Sequence, residues 1–321
     1  MNMMNQLWYK KHRLSWLLLP ASSVYAAIAW VRRAYLQRIK QIHFSVPIIV
    51  VGNLTVGGVG KTPLVIAIAK ALQEKGLRVG IVSRGYGARG LFPREVGIDD
   101  KPRDVGDEPL LICRKTGCPV VIAPKRVEAV QYLLVHHQPQ VILSDDGLQH
   151  YAMGRAIEIA VIDGVRGLGN GFMFPAGPLR ERSARLKSVD FIVVNSGDWE
   201  GAHRMNMVAG DMIALASGAV IKPKDLTEPV AAVAAIGNPE RFYKTLDDLH
   251  VNHNAYSFAD HYAFKPEDLK FKEKTIVMTE KDAVKCVSFA TDKMFVLPVT
   301  AELEHTFWDA LWAHKELRNC K

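Results

Sequence analysis

Gly57, Gly58, Gly60, Lys61 and Thr62 are residues that together could hold a phosphate group. They lie in Thr55-Val56-Gly57-Gly58-Val59-Gly60-Lys61-Thr62-Pro63, after the apolar run Ile48 to Val51 and before a stretch of helical apolar spacing. Strand, glycine-rich loop and helix in that order form a phosphate loop. Glycines let successive N–H groups turn inward around phosphate oxygens, and a helix starting at Lys61 points its positive dipole end at the same anion. Lys61 would reach the β- and γ-phosphates of a nucleotide, the Thr62 hydroxyl would ligate Mg²⁺, and Pro63 suits a first helical turn. Thr55 stands where the usual pattern has another glycine. The bland alternative is a plain glycine turn between strand and helix, which would leave the Gly-Lys-Thr placement unexplained.

Carboxylates come next. Asp145 and Asp146 follow the apolar run Val141 to Leu143, where phosphate-loop enzymes place the acidic residue that holds Mg²⁺; their alternative is turn formation. Asp107 and Glu108 open a helical stretch, a position the helix dipole favours without any chemistry. His261, in Asp260-His261-Tyr262, reads on its own as a partly buried structural histidine.

The elements that must position these groups alternate between short apolar runs and helical patterns. Residues 78–83, 119–123, 141–144, 157–162 and 191–194 read as strands, with helices opening at Gly106-Asp107 and Arg126. That order predicts a doubly wound parallel α/β sheet, with ligand chemistry at strand C-termini. Past Gly197 the pattern restarts. Residues 230–236, 275–278 and 294–297 read as strands, and a closing helix is expected from Ala301. The expected division is an N-terminal helical segment 1–40, a phosphate-loop domain 41–205 and a smaller α/β domain 206–321.

The chain has 321 residues, is 49% hydrophobic and carries a net charge of +8. The basic balance suggests anionic partners, yet no dense basic run is interleaved with aromatics, which argues against nucleic acid. Cys113, Cys118, Cys286 and Cys320 lack a metal-site or disulfide spacing. Near the N-terminus Lys10, Lys11, His12 and Arg13 precede an uncharged run, Leu14 to Val31, closed by Arg32 and Arg33. A secretory signal, a spanning helix, a buried core helix and an interfacial helix compete here. Export would separate a nucleotide loop from ATP, and the run is short of the roughly 20 apolar residues a span needs. The rings of Trp8, Tyr9, Trp16, Tyr25, Trp30 and Tyr35, with basic flanks, favour a helix lying in an anionic membrane surface.

Taken together, VGNLTVGGVGKTP, SRGYG, VGDEP, DDGLQH, FPAGPLRE, IGNPERF, FADH and MTEKDAVK resemble the tetraacyldisaccharide 4′-kinase family of lipid A biosynthesis, over nearly the whole chain. The resemblance implies ATP- and Mg²⁺-dependent phosphorylation of the 4′-hydroxyl of a tetraacylated glucosamine disaccharide 1-phosphate. It implies a cleft between two α/β domains, at the cytoplasmic face of the bacterial inner membrane. By the same resemblance Thr62, Asp145, Asp146 and Glu181 form the metal end, and Arg126 and Arg180 stabilise charge on the transferred phosphoryl. Asp107 accepts the hydroxyl proton with His261 oriented against it, and Lys281 and Asp282 belong to the closing surface. The competing class is a nucleotide-switch ATPase of the partitioning or metal-insertion type; the dimeric partitioning loop has a lysine where this chain has Val56.

Overall fold

A computed structural model describes residues 3–10 and 13–318. Lys11, His12 and Cys320, read above as part of a basic flank and as a thiol, lie outside them. Its larger sheet has nine strands. In spatial order these are Val299–Leu303, His203–Ala209, Phe191–Asn195, Ile157–Asp163, Ile48–Gly52, Val141–Ser144, Val79–Ser83, Val120–Ile122 and Arg94–Glu95. The seven inner strands run parallel and each edge strand antiparallel. The central strands are buried on both faces, as a parallel sheet covered by helices requires. The strand order reverses at Ile48–Gly52, which sits between Val141–Ser144 and Ile157–Asp163. A ligand crevice therefore opens beyond the C-terminal end of that strand, where the phosphate loop begins.

The smaller sheet has six strands, ordered Val220–Ile221, Met212–Ala214, Met294–Leu297, Ile276–Thr279, Val230–Ala234 and His253–Ser257. The sheets divide the chain differently from a cut between 205 and 206. His203–Ala209 belongs to the larger sheet, and after Leu297 the chain returns there as Val299–Leu303. The expected helix from Ala301 is thus an edge strand, and the helix starts at His305. Only Ala301 of this strand is buried, so its sequence carries little of the apolar signal that marked the inner strands. The helix His305–Ala313 drives Phe307 and Leu311 into the large-sheet core with Leu64, Ile68 and Leu72 of the helix Lys61–Glu74.

The N-terminal segment forms helices Met3–Tyr9, Leu14–Leu17 and Leu19–Ile39. Among the described residues no helix is long and apolar enough to cross a membrane. Two of the rings expected at a membrane surface instead face protein. The buried Trp8 donates from Nε1 to the Pro175 carbonyl, 3.0 Å, and Tyr25 packs edge-on against Phe174. Leu14, Trp16, Leu17, Val24, Ile28, Trp30, Val31 and Ile39 remain exposed.

Candidate active site

The phosphate loop is held from outside as much as by its own sequence. Gly60 caps the helix Lys61–Glu74 at φ +98°, and a Cβ there would lie 2.3 Å from Asn195 Nδ2. That amide donates to the Val59 carbonyl, 2.9 Å, pinning the loop to the end of Phe191–Asn195. Thr55 replaces the usual glycine because the chain is extended there. It bridges Leu179, Val56 N–H donates to the Pro178 carbonyl, and Asn53 Nδ2 donates to the Thr55 carbonyl, 2.7 Å. No backbone turn needs a missing Cβ at that position. Lys61 Nζ donates to Asn53 Oδ1, 3.2 Å, and lies 3.5 Å from Asp146 Oδ1.

The two aspartates after Val141–Ser144 differ sharply in environment. Asp146, at φ +47°, is paired with Arg180 at 3.1 Å and with Lys61. Burial would raise its pKa, but Lys61 and Arg180 more than offset that and hold it well below the usual carboxylate range. Asp145 is buried, and its Oδ1 has no hydrogen-bond partner among the described residues. Burial first, then the charges of Glu108 and Asp146, push its pKa up to about 7. A buried, unpartnered carboxylate oxygen beside the phosphate loop fits a hard divalent cation, which oxygen donors suit.

Two residues assigned by resemblance to the metal and the phosphoryl group make several protein contacts within the same cleft as the phosphate loop. Glu181 accepts from Gln149, 2.9 Å, and from the Tyr151 hydroxyl, and it lies near Arg33 and Arg185. It lines the same cleft as Asp145 and Asp146, and no group of three or more His, Cys, Asp or Glu gathers as a metal site among the described residues. Arg126 is buried; its Nη2 donates to the carbonyls of Asp145, 2.6 Å, and Asp146, 3.2 Å, and its Nη1 lies 3.0 Å from His150 Nε2. Its guanidinium therefore clamps the aspartate turn. Burial and the cations Arg126 and Arg84 push His150 down to about 3, so its Nε2 is a neutral acceptor.

Asp107 opens the helix Asp107–Thr116 on the larger sheet, and His261 follows His253–Ser257 of the smaller one. They meet. His261 Nδ1 lies 3.0 Å from Asp107 Oδ2 and 3.1 Å from Oδ1. His261 adopts φ +61°, a left-handed backbone for a non-glycine residue of the kind held in place at functional sites. For Asp107, burial acts upward, but the His261 hydrogen bond and the charges of Lys281, His261 and Lys285 prevail and lower its pKa. For His261 the Asp107 hydrogen bond raises the pKa against burial and Lys281.

Further residues in this region were given no role from the sequence, although Tyr86 lies in SRGYG and Gly237, Asn238 and Arg241 in IGNPERF. Tyr86 packs against His261, ring centroids 5.1 Å apart. Arg241 Nη2 lies 2.8 Å from the buried Asp163, and Arg166 donates to Asn238 Oδ1, 2.6 Å, joining the two sheets' loops. Gly237 approaches so closely that a Cβ would sit 2.9 Å from Gly58 N. Asp163 and Asn195 end their strands, the only clue their sequence offered. Asp282, expected on a closing surface, is fully buried, accepting from Ala235 N–H and the Thr279 hydroxyl; Lys281 alone of that pair reaches across, 3.0 Å from Glu108.

One cleft of about 1440 Å³ takes in the phosphate loop, Asp145, Asp146, Arg180, Asp107 and His261, with Tyr25, Ala26 and Trp30 of the N-terminal helix at its edge. Phosphoryl transfer needs little covalent chemistry from a protein, only positioning, charge stabilisation and a proton acceptor. The fold and the cleft thus define a phosphate-loop phosphotransferase. A family model described as tetraacyldisaccharide-1-P 4′-kinase matches residues 14–316. The chain is 56% identical to the tetraacyldisaccharide 4′-kinase of Legionella pneumophila (strain Lens) over 98% of both chains. It is 44% identical to that of Alcanivorax borkumensis over 95% of both. It also resembles the crystal structure of LpxK from Aquifex aeolicus in complex with ATP, with TM-score 0.77 and 26% identity, covering 95% of this chain and 99% of that one. The chain belongs to the tetraacyldisaccharide 4′-kinase family.

Proposed function

We propose that this protein transfers the γ-phosphoryl group of ATP to the 4′-hydroxyl of a tetraacylated glucosamine disaccharide 1-phosphate, a step in building lipid A. The observation that carries the reading is the Asp107–His261 pair, assembled from two sheets and facing the phosphate loop in one cleft. In this reading residues 55–62 cradle the ATP phosphates, and the use of ATP is supported by the Aquifex aeolicus relative, whose structure is a complex with ATP. Thr62 and Asp145 would hold Mg²⁺, whose charge would offset that of the transferring phosphoryl group. Asp107 accepts the hydroxyl proton as the sugar oxygen attacks phosphorus, and His261 holds the carboxylate in place. Lys61 and Arg180 meet the charge on the phosphoryl oxygens, while Arg126 keeps the aspartate turn rigid. Closure of the smaller sheet's loops over the cleft would exclude water, the competing acceptor.

The exposed apolar face of Leu14–Leu17 and Leu19–Ile39 supports attachment to the anionic surface of the bacterial inner membrane, on its cytoplasmic side. The same helix lines the cleft with Tyr25, Ala26 and Arg33, so an acceptor could keep its acyl chains in lipid while its sugar enters. The test uses γ-labelled ATP with a panel of acylated glucosamine acceptors, including a 4′-deoxy disaccharide. Label should pass to the tetraacylated disaccharide 1-phosphate and not to the 4′-deoxy compound. ATP turnover indifferent to any acceptor would sink the reading.

A further inference from the structure

Lys281 has no part in the chemistry described so far, yet its ammonium stands at the centre of the carboxylate–imidazole pair. Nζ lies 3.0 Å from Glu108 Oε1, 3.3 Å from Asp260 Oδ1, 3.4 Å from His261 Nε2 and 4.0 Å from Asp107 Oδ2. Its side chain is mostly buried, and although burial acts to lower its pKa, Glu108, Asp107 and Asp260 raise it, so it is a cation throughout the working range. An ammonium group has three donors and no acceptor. A neutral ring bonds to it by accepting at Nε2, which places the ring proton on Nδ1. Nδ1 is the atom turned to Asp107, at 3.0 Å.

We propose that Lys281 is a positioning residue that fixes neutral His261 in the Nδ1–H tautomer, leaving the Asp107 carboxylate as the only group free to take the sugar hydroxyl proton. The proposal rests on Asp107 being that acceptor, and extends it by saying why the imidazole is not. In the neutral ring Nδ1 already carries its proton and Nε2 faces the ammonium, which opposes a second one. The hydroxyl proton goes to an Asp107 oxygen, and Nδ1–H steadies the carboxylate before transfer. The charged and titratable groups facing the ring come from three elements besides its own. They are Asp107 and Glu108 from Asp107–Thr116, Lys281 and, behind Asp107, Lys285 from Glu280–Cys286, and Tyr86 from the loop after Val79–Ser83. Asp260 adds a carboxylate 3.9 Å from Nε2 on the ring's own segment. Asp107 draws the ring toward protonation and Lys281 opposes it.

The experiment combines histidine-selective ¹⁵N NMR with pH–rate profiles on the full chain, the His261→Ala spectrum identifying the signal. In the wild type above the ring's pKa, His261 should show an unprotonated Nε2 and a protonated Nδ1. In Lys281→Met the ring loses a neighbouring cation, and its pKa should rise by about one pH unit or more, since a charge at such a distance has that influence near a protein surface. A doubly protonated ring lowers the basicity of Asp107, so the acid limb of kcat should move up by the same interval, with KM for ATP unchanged. Lys281→Arg, which keeps a donor-only cation, should restore the limb. A purely structural role predicts an unmoved His261 pKa with kcat lowered equally at every pH, and that result overturns the proposal, as does a wild-type His261 protonated on Nε2 alone. Asp107→Asn separates the two layers. If that variant keeps full activity the reading of Asp107 as acceptor fails, while the tautomer, read by NMR, is judged independently of turnover.

Discussion

At Asp145 a carboxylate is buried with Oδ1 unpartnered, while Asp146, one residue on, is neutralised by Lys61 and Arg180. Desolvating an unpaired charge opposes folding, a cost that the cation site proposed for Asp145 would explain. Replacing it by asparagine removes that charge at nearly constant volume. Metal-free Asp145→Asn should therefore melt above the wild type at pH 8, whereas its turnover should fall by about three orders of magnitude, the rate equivalent of several kcal/mol of lost charge stabilisation. Scanning fluorimetry beside the kinase assay checks both halves. A variant that melts lower and still turns over would mean that Asp145 is a turn former. The pairing of Asp107 with His261 shows how far residue types alone can carry a reading. Each has an ordinary structural explanation where it stands, and only the joint occurrence of GDEP and FADH in a familiar series brought them together. Their 154-residue separation leaves no local trace.

Five inner strands of the larger sheet were legible because they are apolar runs buried on both faces, such as Ile48 to Val51 or Val141 to Leu143, whereas His203–Ala209, exposed at alternate residues, was not. Nor were edge elements. Val299–Leu303 buries one residue, and its strand identity comes from five backbone partners in His203–Ala209. The N-terminal helices show the same limit: an uncharged run with aromatic rings announced an apolar helix, but which rings turn inward depends on Phe174 and Pro175, far along the chain. The outward set is Trp16, Leu17, Val24, Ile28, Trp30 and Val31. Replacing Leu17, Ile28 and Trp30 together by glutamate should abolish flotation with anionic vesicles and leave ATP binding intact. Replacing the inward Trp8 should instead lower the melting temperature. Vesicle binding that survives the triple change would remove the interfacial assignment.

At the level of the whole molecule, the smaller sheet is a lobe inserted between His203–Ala209 and Val299–Leu303, tied back to the larger sheet on both sides. Its contacts with the site are specific. Gly237 abuts Gly58, Arg241 and Asn238 meet Asp163 and Arg166, and Lys281 meets Glu108. A Cβ at position 237 would press on a backbone nitrogen of the phosphate loop, where nothing flexible can yield. Gly237→Ala should displace the lobe or the loop by a fraction of an ångström and cost up to about 10²-fold in kcat/KM, as misplacement of that order can, with little change in melting temperature. Steady-state kinetics and a thermal melt on the same preparation check it, and an unchanged kcat/KM would mean that the lobe closes without that contact.

Asp107 and His261, brought from separate sheets, are proposed to act as one proton-handling unit opposite the phosphate loop. The direct measurement is turnover by Asp107→Ala, His261→Ala and the double variant, with ATP affinity measured alongside. Loss of a general base lowers rate by about 10²–10⁴-fold, and groups that act as a unit do not lose rate additively. The double variant should be little slower than the slower single one, and all three should bind ATP as the wild type does. Losses that multiply, or an ATP affinity that collapses in step with turnover, would contradict the pairing at the centre of the mechanism.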